Sequence, residues 1–165
     1  MGRILLIDDD EIFLWALPAM LKQSAPTFTF HMAKTAEHAL RLLQYSDYDA
    51  IVSDFNMPGF NGIDFLKECK MAWPDIPIIL LTGYGTSELE EEAIQEGAYA
   101  LVQKPVEAEV FLSIVTRAVH RREACRAGFI DGGLFAAETK RVSSRLRKID
   151  ELLKSKIQDY EKGQS

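Results

Sequence analysis

A block of acids, Asp8-Asp9-Asp10-Glu11, a further acid at Asp54, a hydroxyl at Thr82 and a cation at Lys104 are the side chains of this sequence best suited to chemistry. Each has a plain reading alone. The acids can cap and charge a helix start, and Asp54 before Asn56, Pro58 and Gly59 is ordinary turn composition. Thr82 before Gly83 could be strand packing and a turn, and Lys104 before Pro105 a surface lysine. Their placement is what those readings leave unexplained. Asp8 and Asp9 follow the apolar run Ile4-Leu5-Leu6-Ile7, Asp54 follows Ala50 to Ser53, Thr82 follows Ile78 to Leu81, and Lys104 follows Ala100 to Val102. If those runs are parallel strands, all these polar groups converge outside the strands' carboxyl ends, where open α/β sheets hold ligands.

Three carboxylates gathered there need a cation. Two unit charges about 4 Å apart repel by roughly 4 kcal/mol at an effective dielectric of about 20. Magnesium suits the cluster, because it prefers octahedral oxygen coordination and keeps several waters. Asp9 and Asp54 would supply carboxylates, the loop after Asp54 a carbonyl, and Asp8 would act directly or through water. No histidine stands in the set, which disfavours zinc. Lys104 adds a counter-charge and Thr82 a hydroxyl donor. Together these make a cradle for a small anion beside a carboxylate nucleophile. That is the equipment for phosphoryl transfer to Asp54, which needs positioning and charge stabilisation more than covalent help.

The rest of the chain supplies the scaffold. Short apolar runs alternate with segments of helical period from Met1 to about His120, the pattern of βα units and a parallel sheet. Strands are expected at Arg3–Ile7, Phe28–Ala33, Ala50–Ser53, Ile78–Leu81 and Ala100–Val102. The third and fourth, apolar without alternation, should be central. Thr35 should cap one helix with Glu37 in its first turn, and Ser87-Glu88-Leu89-Glu90 reads as a capping box for another that Gly97 ends. The last helix should run from Glu107 to about Arg122 with Val110, Phe111, Ile114, Val115 and Ala118 on one stripe. Pro18 should bend the helix between Ile12 and Gln23 or displace its start. At 165 residues and 47% hydrophobic, the chain supports one domain with an appendage. The boundaries are a domain at 1–122, a linker at 123–136 carrying Gly128, Gly132 and Gly133, and an amphipathic helical tail at 137–162. Net charge is −6, divided into −10 for Met1 to His120 and +4 for the remainder. An acidic body argues against a non-specific nucleic-acid surface. Cys69 and Cys125 form no metal-type or redox-type spacing, no signal peptide is legible, and no apolar run reaches spanning length, so a soluble cytoplasmic protein is expected.

Ile4-Leu5-Leu6-Ile7-Asp8-Asp9-Asp10, Asp54-Phe55-Asn56-Met57-Pro58-Gly59 with Gly62, Leu80-Leu81-Thr82-Gly83-Tyr84-Gly85, and Lys104-Pro105 together resemble the receiver domains of two-component response regulators, in the same order. The resemblance implies a flavodoxin-like (βα)5 doubly wound sheet with strand order 2-1-3-4-5. It further implies magnesium at Asp8, Asp9 and Asp54 with the Asn56 carbonyl, and phosphorylation of Asp54 by a sensor histidine kinase or a phosphotransfer protein. Thr82 would be the switching hydroxyl, Lys104 the phosphate partner, and the Lys104-Pro105 bond cis. One position departs from the family: Leu101 stands where an aromatic usually precedes the lysine by three residues. Tyr84 and Tyr99 read as packing residues, and output would travel through the loop after Thr82 and the helix opening at Ser87.

Such a domain is a phosphoacceptor rather than an enzyme acting on other molecules. The competing readings are a degenerate receiver scaffold and a magnesium-dependent aspartyl-phosphate phosphatase. Asp54-Phe55-Asn56 lacks the second acid that such a phosphatase would use, and the intact acids, threonine and lysine argue against the scaffold. A nucleotide-binding protein is weaker still, since Gly83-Tyr84-Gly85 follows the fourth strand and is no phosphate-binding fingerprint. In the tail, Val142, Leu146, Ile149, Leu153 and Ile157 recur by threes and fours. A lone helix would leave that stripe wet, so it should pack against a second copy, as a two-stranded pair and homodimer, or against the receiver. The plain alternative is a linker helix. The tail is too short for a helix-turn-helix output domain, so no direct nucleic-acid contact is expected.

Overall fold

A computed structural model describes residues 2–22 and 28–129. In chain order the elements are β1 (Gly2–Ile7), α1 (Glu11–Lys22), β2 (Phe28–Ala33), α2 (Ala36–Tyr45), β3 (Ala50–Asp54), β4 (Asn56–Met57), β5 (Phe60–Asn61), α3 (Gly62–Ala72), β6 (Ile78–Thr82), α4 (Ser87–Gln95), β7 (Ala100–Gln103) and α5 (Ala108–Arg126). Five strands pair in parallel in the order β2-β1-β3-β6-β7. Leaving aside the two-residue hairpin of β4 and β5, this is the 2-1-3-4-5 order expected of a doubly wound sheet. β3 and β6 are buried along their whole length, which is why their apolar runs do not alternate.

Helices cover both faces. Leu14, Leu17 and Leu21 of α1 and Phe111, Val115, Ala118 and Val119 of α5 pack with Ile4, Leu6, Val52 and Ile79 on one side. On the other, Ala39 and Leu43 of α2, Phe65, Leu66 and Cys69 of α3 and Ala93 of α4 pack with Leu5, Ile51, Ile78 and Leu80. Alternate residues of each strand therefore feed opposite cores.

Most element ends agree with local chemistry. Thr35 accepts a hydrogen bond from the His38 N–H and caps α2. Gly97 takes φ +97° just after α4, a conformation glycine adopts without steric cost. Three details differ from the sequence reading. The N-cap of α4 is Thr86, whose hydroxyl accepts from Leu89 N–H, so the capping register lies one residue earlier than Ser87. α1 runs from Glu11 through Pro18 without a break. Its start is not displaced. α5 continues to Arg126, and Val110 is 52% exposed, so the buried stripe is Phe111, Val115, Ala118 and Val119.

The extra turn of α5 is held by ion pairs that sequence spacing does not reveal. Arg126 bonds Asp49, and its other nitrogen lies 2.6 Å from Asp47 Oδ2. Arg122 pairs with Asp47 and Asp75. Asp49 is buried and also accepts from Arg3 N–H at 2.7 Å. The stripe expected at Val142 to Ile157, and the 137–162 tail that carries it, lie outside the described residues. Among the described residues, no helix is long and apolar enough to cross a membrane.

Candidate phosphoryl-acceptor site

Strand register brings the polar residues level. Ile7 pairs with Ser53, Asp54 with Leu81 and Thr82 with Gln103, so Asp8, Asp54, Thr82 and Lys104 emerge within one rung of each other. β1 lies between β2 and β3, and the chain winds away from it in both directions, which opens a crevice at the ends of β1 and β3. Asp8 and Asp54 flank that crevice.

Lys104 joins the two acids. Its Nζ lies 2.7 Å from Asp8 Oδ2 and 2.8 Å from Asp54 Oδ1, and it sits 4.4 Å from the centroid of the Phe13 ring. Asp8 is 1% exposed and Asp54 7%. Their remaining oxygens accept backbone donors: Asp10 N–H to Asp8 Oδ1 at 2.9 Å, and Asn56 N–H to Asp54 Oδ2 at 3.0 Å. Burial raises the Asp8 pKa, and the bonds from Lys104 and Asp10 N–H oppose that rise without cancelling it. Burial also pulls the Lys104 pKa down, but the bonds and charges of Asp54 and Asp8 prevail and leave it raised, so the ammonium stays charged.

Asp8, Asp9 and Asp54 each offer a carboxylate oxygen within 4.8 Å of the others, with Asp9 exposed. An open groove of about 480 Å³ lined by Asp9, Phe55, Asn56, Met57, Pro58 and Asn61 adjoins them. Asp10 is not part of the cluster. Its Oδ1 accepts from Ile12 N–H at 2.9 Å and Phe13 N–H at 3.3 Å and so caps α1.

The loop after Asp54 is shaped by a contact missing from the sequence reading. Asn56 and Met57 pair antiparallel with Phe60 and Asn61 across Gly59 at φ +75°. Gly62 N–H donates to Phe55 O at 2.9 Å. A Cβ on Gly62 would lie 2.9 Å from both Phe55 Cα and Phe55 O, so the hairpin closes only over glycine. The Pro58-Gly59 turn and Gly62 three residues on were the available signal.

Thr82 is 1% exposed, and its hydroxyl bonds the Tyr84 backbone, to the carbonyl at 3.1 Å and from the N–H at 3.2 Å. Lys104 N–H donates to Thr82 O at 2.8 Å, which ties the ends of β6 and β7 together. The Lys104-Pro105 bond is cis. Leu101 is half-buried against the core. Tyr99 is a packing residue as read, with Arg121 5.8 Å from its ring centroid, but Tyr84 is not: it is 87% exposed.

The response regulator receiver domain family matches residues 4–116. The chain belongs to that family. Among curated relatives it is 33% identical over 116 residues to the response regulator protein FleR of Pseudomonas aeruginosa, covering 70% of this chain but 24% of FleR. It is 29% identical over 150 residues to the transcriptional regulatory protein FixJ of Bradyrhizobium diazoefficiens, covering 91% of this chain and 72% of FixJ. Among solved structures, a response regulator receiver domain protein from Clostridium thermocellum superposes with a TM-score of 0.70 at 28% identity, covering 76% of this chain and 99% of that one. A beryllofluoride-activated NtrC4 receiver domain dimer gives 0.68 at 31% identity, covering 74% and 99%. The receiver of this chain is thus a signalling domain of the two-component response regulators, on a flavodoxin-like fold. The chain spans about a quarter of the length of FleR.

Proposed function

We propose that this receiver accepts a phosphoryl group on Asp54 from a sensor histidine kinase or a phosphotransfer protein. The observation that carries the reading is the Lys104 ammonium bridging Asp8 and Asp54 at the strand ends, with Asp9 completing the acid cluster. A carboxylate oxygen of Asp54 would bond to phosphorus as the bond to the donor breaks. Lys104 would exchange its contact with that carboxylate for one with the arriving phosphoryl oxygens. The Thr82 hydroxyl, one rung away, would donate to another oxygen.

The cluster fits magnesium: hard oxygen ligands, no histidine or cysteine among them, and an open groove alongside for bound waters. Asp8, Asp9, Asp54 and the Asn56 carbonyl would hold the ion. Bound there, it would neutralise charge that builds on the phosphoryl oxygens during transfer.

Output follows from the Thr82 contact. The hydroxyl that would turn to the phosphoryl group now holds the Tyr84 backbone, so phosphorylation would release the loop from Gly83 to Gly85 ahead of the Thr86 cap of α4. Leu101 offers no ring to rotate, so the signal would pass through this loop and α4 to a protein partner. The receiver would act as a phosphoacceptor whose only chemistry is on itself, with no direct nucleic-acid contact. Incubating the full chain with acetyl phosphate and magnesium, then reading intact mass, tests the reading. A single phosphoryl adduct that disappears with EDTA is expected, and an unmodified chain under both conditions would refute it.

A further inference from the structure

α1 is apolar on two sides. Leu14, Leu17, Pro18 and Leu21 face the core. Ile12, Trp15, Ala16, Ala19 and Met20 recur at i, i+3, i+4, i+7 and i+8, the spacing of a buried stripe, yet all five are exposed, Ile12 at 80%, Trp15 at 69% and Met20 at 46%. An open groove of about 490 Å³ lies along Glu11, Ile12, Trp15 and Ala16. A helix apolar all round is normally covered all round.

The sequence carries a second apolar stripe, and the route to it begins beside the first. α5 packs next to α1 on the same sheet face and ends at the opposite pole from Asp54, where β1 and β3 begin, fixed there by Arg126 on Asp49. Its end is a Schellman turn: Gly128 N–H to Cys125 O, Phe129 N–H to Ala124 O, and Gly128 at φ +75°. Such a turn usually brings the residue after the glycine onto the last helical turn. Here Phe129 is 86% exposed. The chain thus leaves α5 close to the Met20 end of α1 with an uncovered ring at the exit.

We propose that the C-terminal segment, residues 137–162, folds back on its own receiver and lays Val142, Leu146 and Ile149 along Met20, Trp15 and Ile12 on the outer face of α1. The lengths agree. Residues 130–136 reach about 20 Å when extended, more than the turn requires. In a helix, Val142 to Ile149 spans about 10 Å, and Met20 to Ile12 about 12 Å. The charges agree as well. Residues 137–162 hold 8 Lys and Arg against 5 Asp and Glu, a net positive segment for a helix that starts beside Asp9, Asp10 and Glu11. Of the two occupants that the tail's stripe allows, its own receiver is favoured over a second copy because the receiver already presents an uncovered stripe of matching length at the exit.

Trp15 reports on this contact in the full chain once Trp73, the other tryptophan, is replaced by Phe. Acrylamide quenching of the Trp73→Phe protein is compared with that of the same protein carrying Leu146→Asp and Ile149→Asp, each over a hundredfold dilution series. The expected result is a blue-shifted Trp15 emission and a quenching constant at least twofold lower in the parent than in the tail variant, unchanged on dilution. Equal quenching in the two proteins would overturn the proposal. So would protection that vanishes on dilution, which would make the occupant a second copy.

Discussion

The acid cluster makes a quantitative demand on stability without metal. Asp8 and Asp54 offer carboxylate oxygens within 4.8 Å of each other, a repulsion of about 3 kcal/mol at an effective dielectric of about 20. Asp8→Asn removes that repulsion and retains an oxygen to accept the Asp10 N–H. It sacrifices the charge-assisted bond from Lys104 at 2.7 Å, worth about 2 kcal/mol. The bond and charge of Lys104 act on Asp8 more strongly than the Asp54 charge does, so the sign is set by burial, which leaves the Asp8 pKa raised and its ionised form disfavoured in the fold; Asp8→Asn is expected to gain about 1 kcal/mol in EDTA. Urea unfolding followed by far-UV circular dichroism measures it. Magnesium should then stabilise the parent more than the variant, because an ion that binds only the folded state adds stability by mass action and a neutral amide is a poorer ligand than the carboxylate it replaces. At saturating magnesium the order of the two proteins should converge or reverse. A variant that is less stable than the parent by about 1 kcal/mol or more in EDTA would refute the claim that burial disfavours the ionised Asp8.

Other positions give independent tests. Gly62→Ala should cost about 1–3 kcal/mol of unfolding free energy, because the new methyl meets Phe55 backbone atoms at 2.9 Å, and should slow labelling of the neighbouring Asp54 by acetyl phosphate. Arg126→Ala leaves the buried Asp49 without its cation and should lower stability by about 3 kcal/mol in urea while leaving magnesium binding unchanged. Burial pulls the Lys70 pKa down to about 8, with Nζ bonded to Ile76 O at 2.6 Å and Pro74 O at 3.3 Å. Between about 8 and the unfolded value near 10.5 the unfolded chain holds more protons, so this lysine's contribution to stability rises with pH. Relative to Lys70→Met, the parent should gain about 2 kcal/mol between pH 7 and pH 10.5, with partial solvent exposure discounted, and parallel pH profiles would contradict the assignment.

The fold was legible where local chemistry and tertiary need coincide. Apolar runs end in Asp8, Asp54, Thr82 and Lys104 because strands buried on both faces can place polar groups only past their ends, and that pattern exposed both the sheet and the site. Asp10 was separable from Asp8 and Asp9 for a similar reason: helix starts need a cap, and Asp10 supplies it. What was not legible depends on partners distant in sequence. The last turn of α5 persists because Arg122 and Arg126 reach Asp47, Asp49 and Asp75, and no helical periodicity encodes those contacts. The exposure of Tyr84 arises because the Thr82 hydroxyl grips its backbone and leaves the ring outside. Pro18 should disturb α1 by local rules, yet it lies buried within a helix that continues past it.

The central claim is that Asp54, rather than any other acid of the cluster, carries the phosphoryl group. Borohydride reduction of the acetyl phosphate-treated chain converts an acyl phosphate on aspartate to homoserine, and peptide mapping locates it. Homoserine is expected at position 54 alone, with none formed anywhere in Asp54→Asn. Homoserine at position 8 or 9 in the parent, or labelling of Asp54→Asn at the parent level, would contradict it.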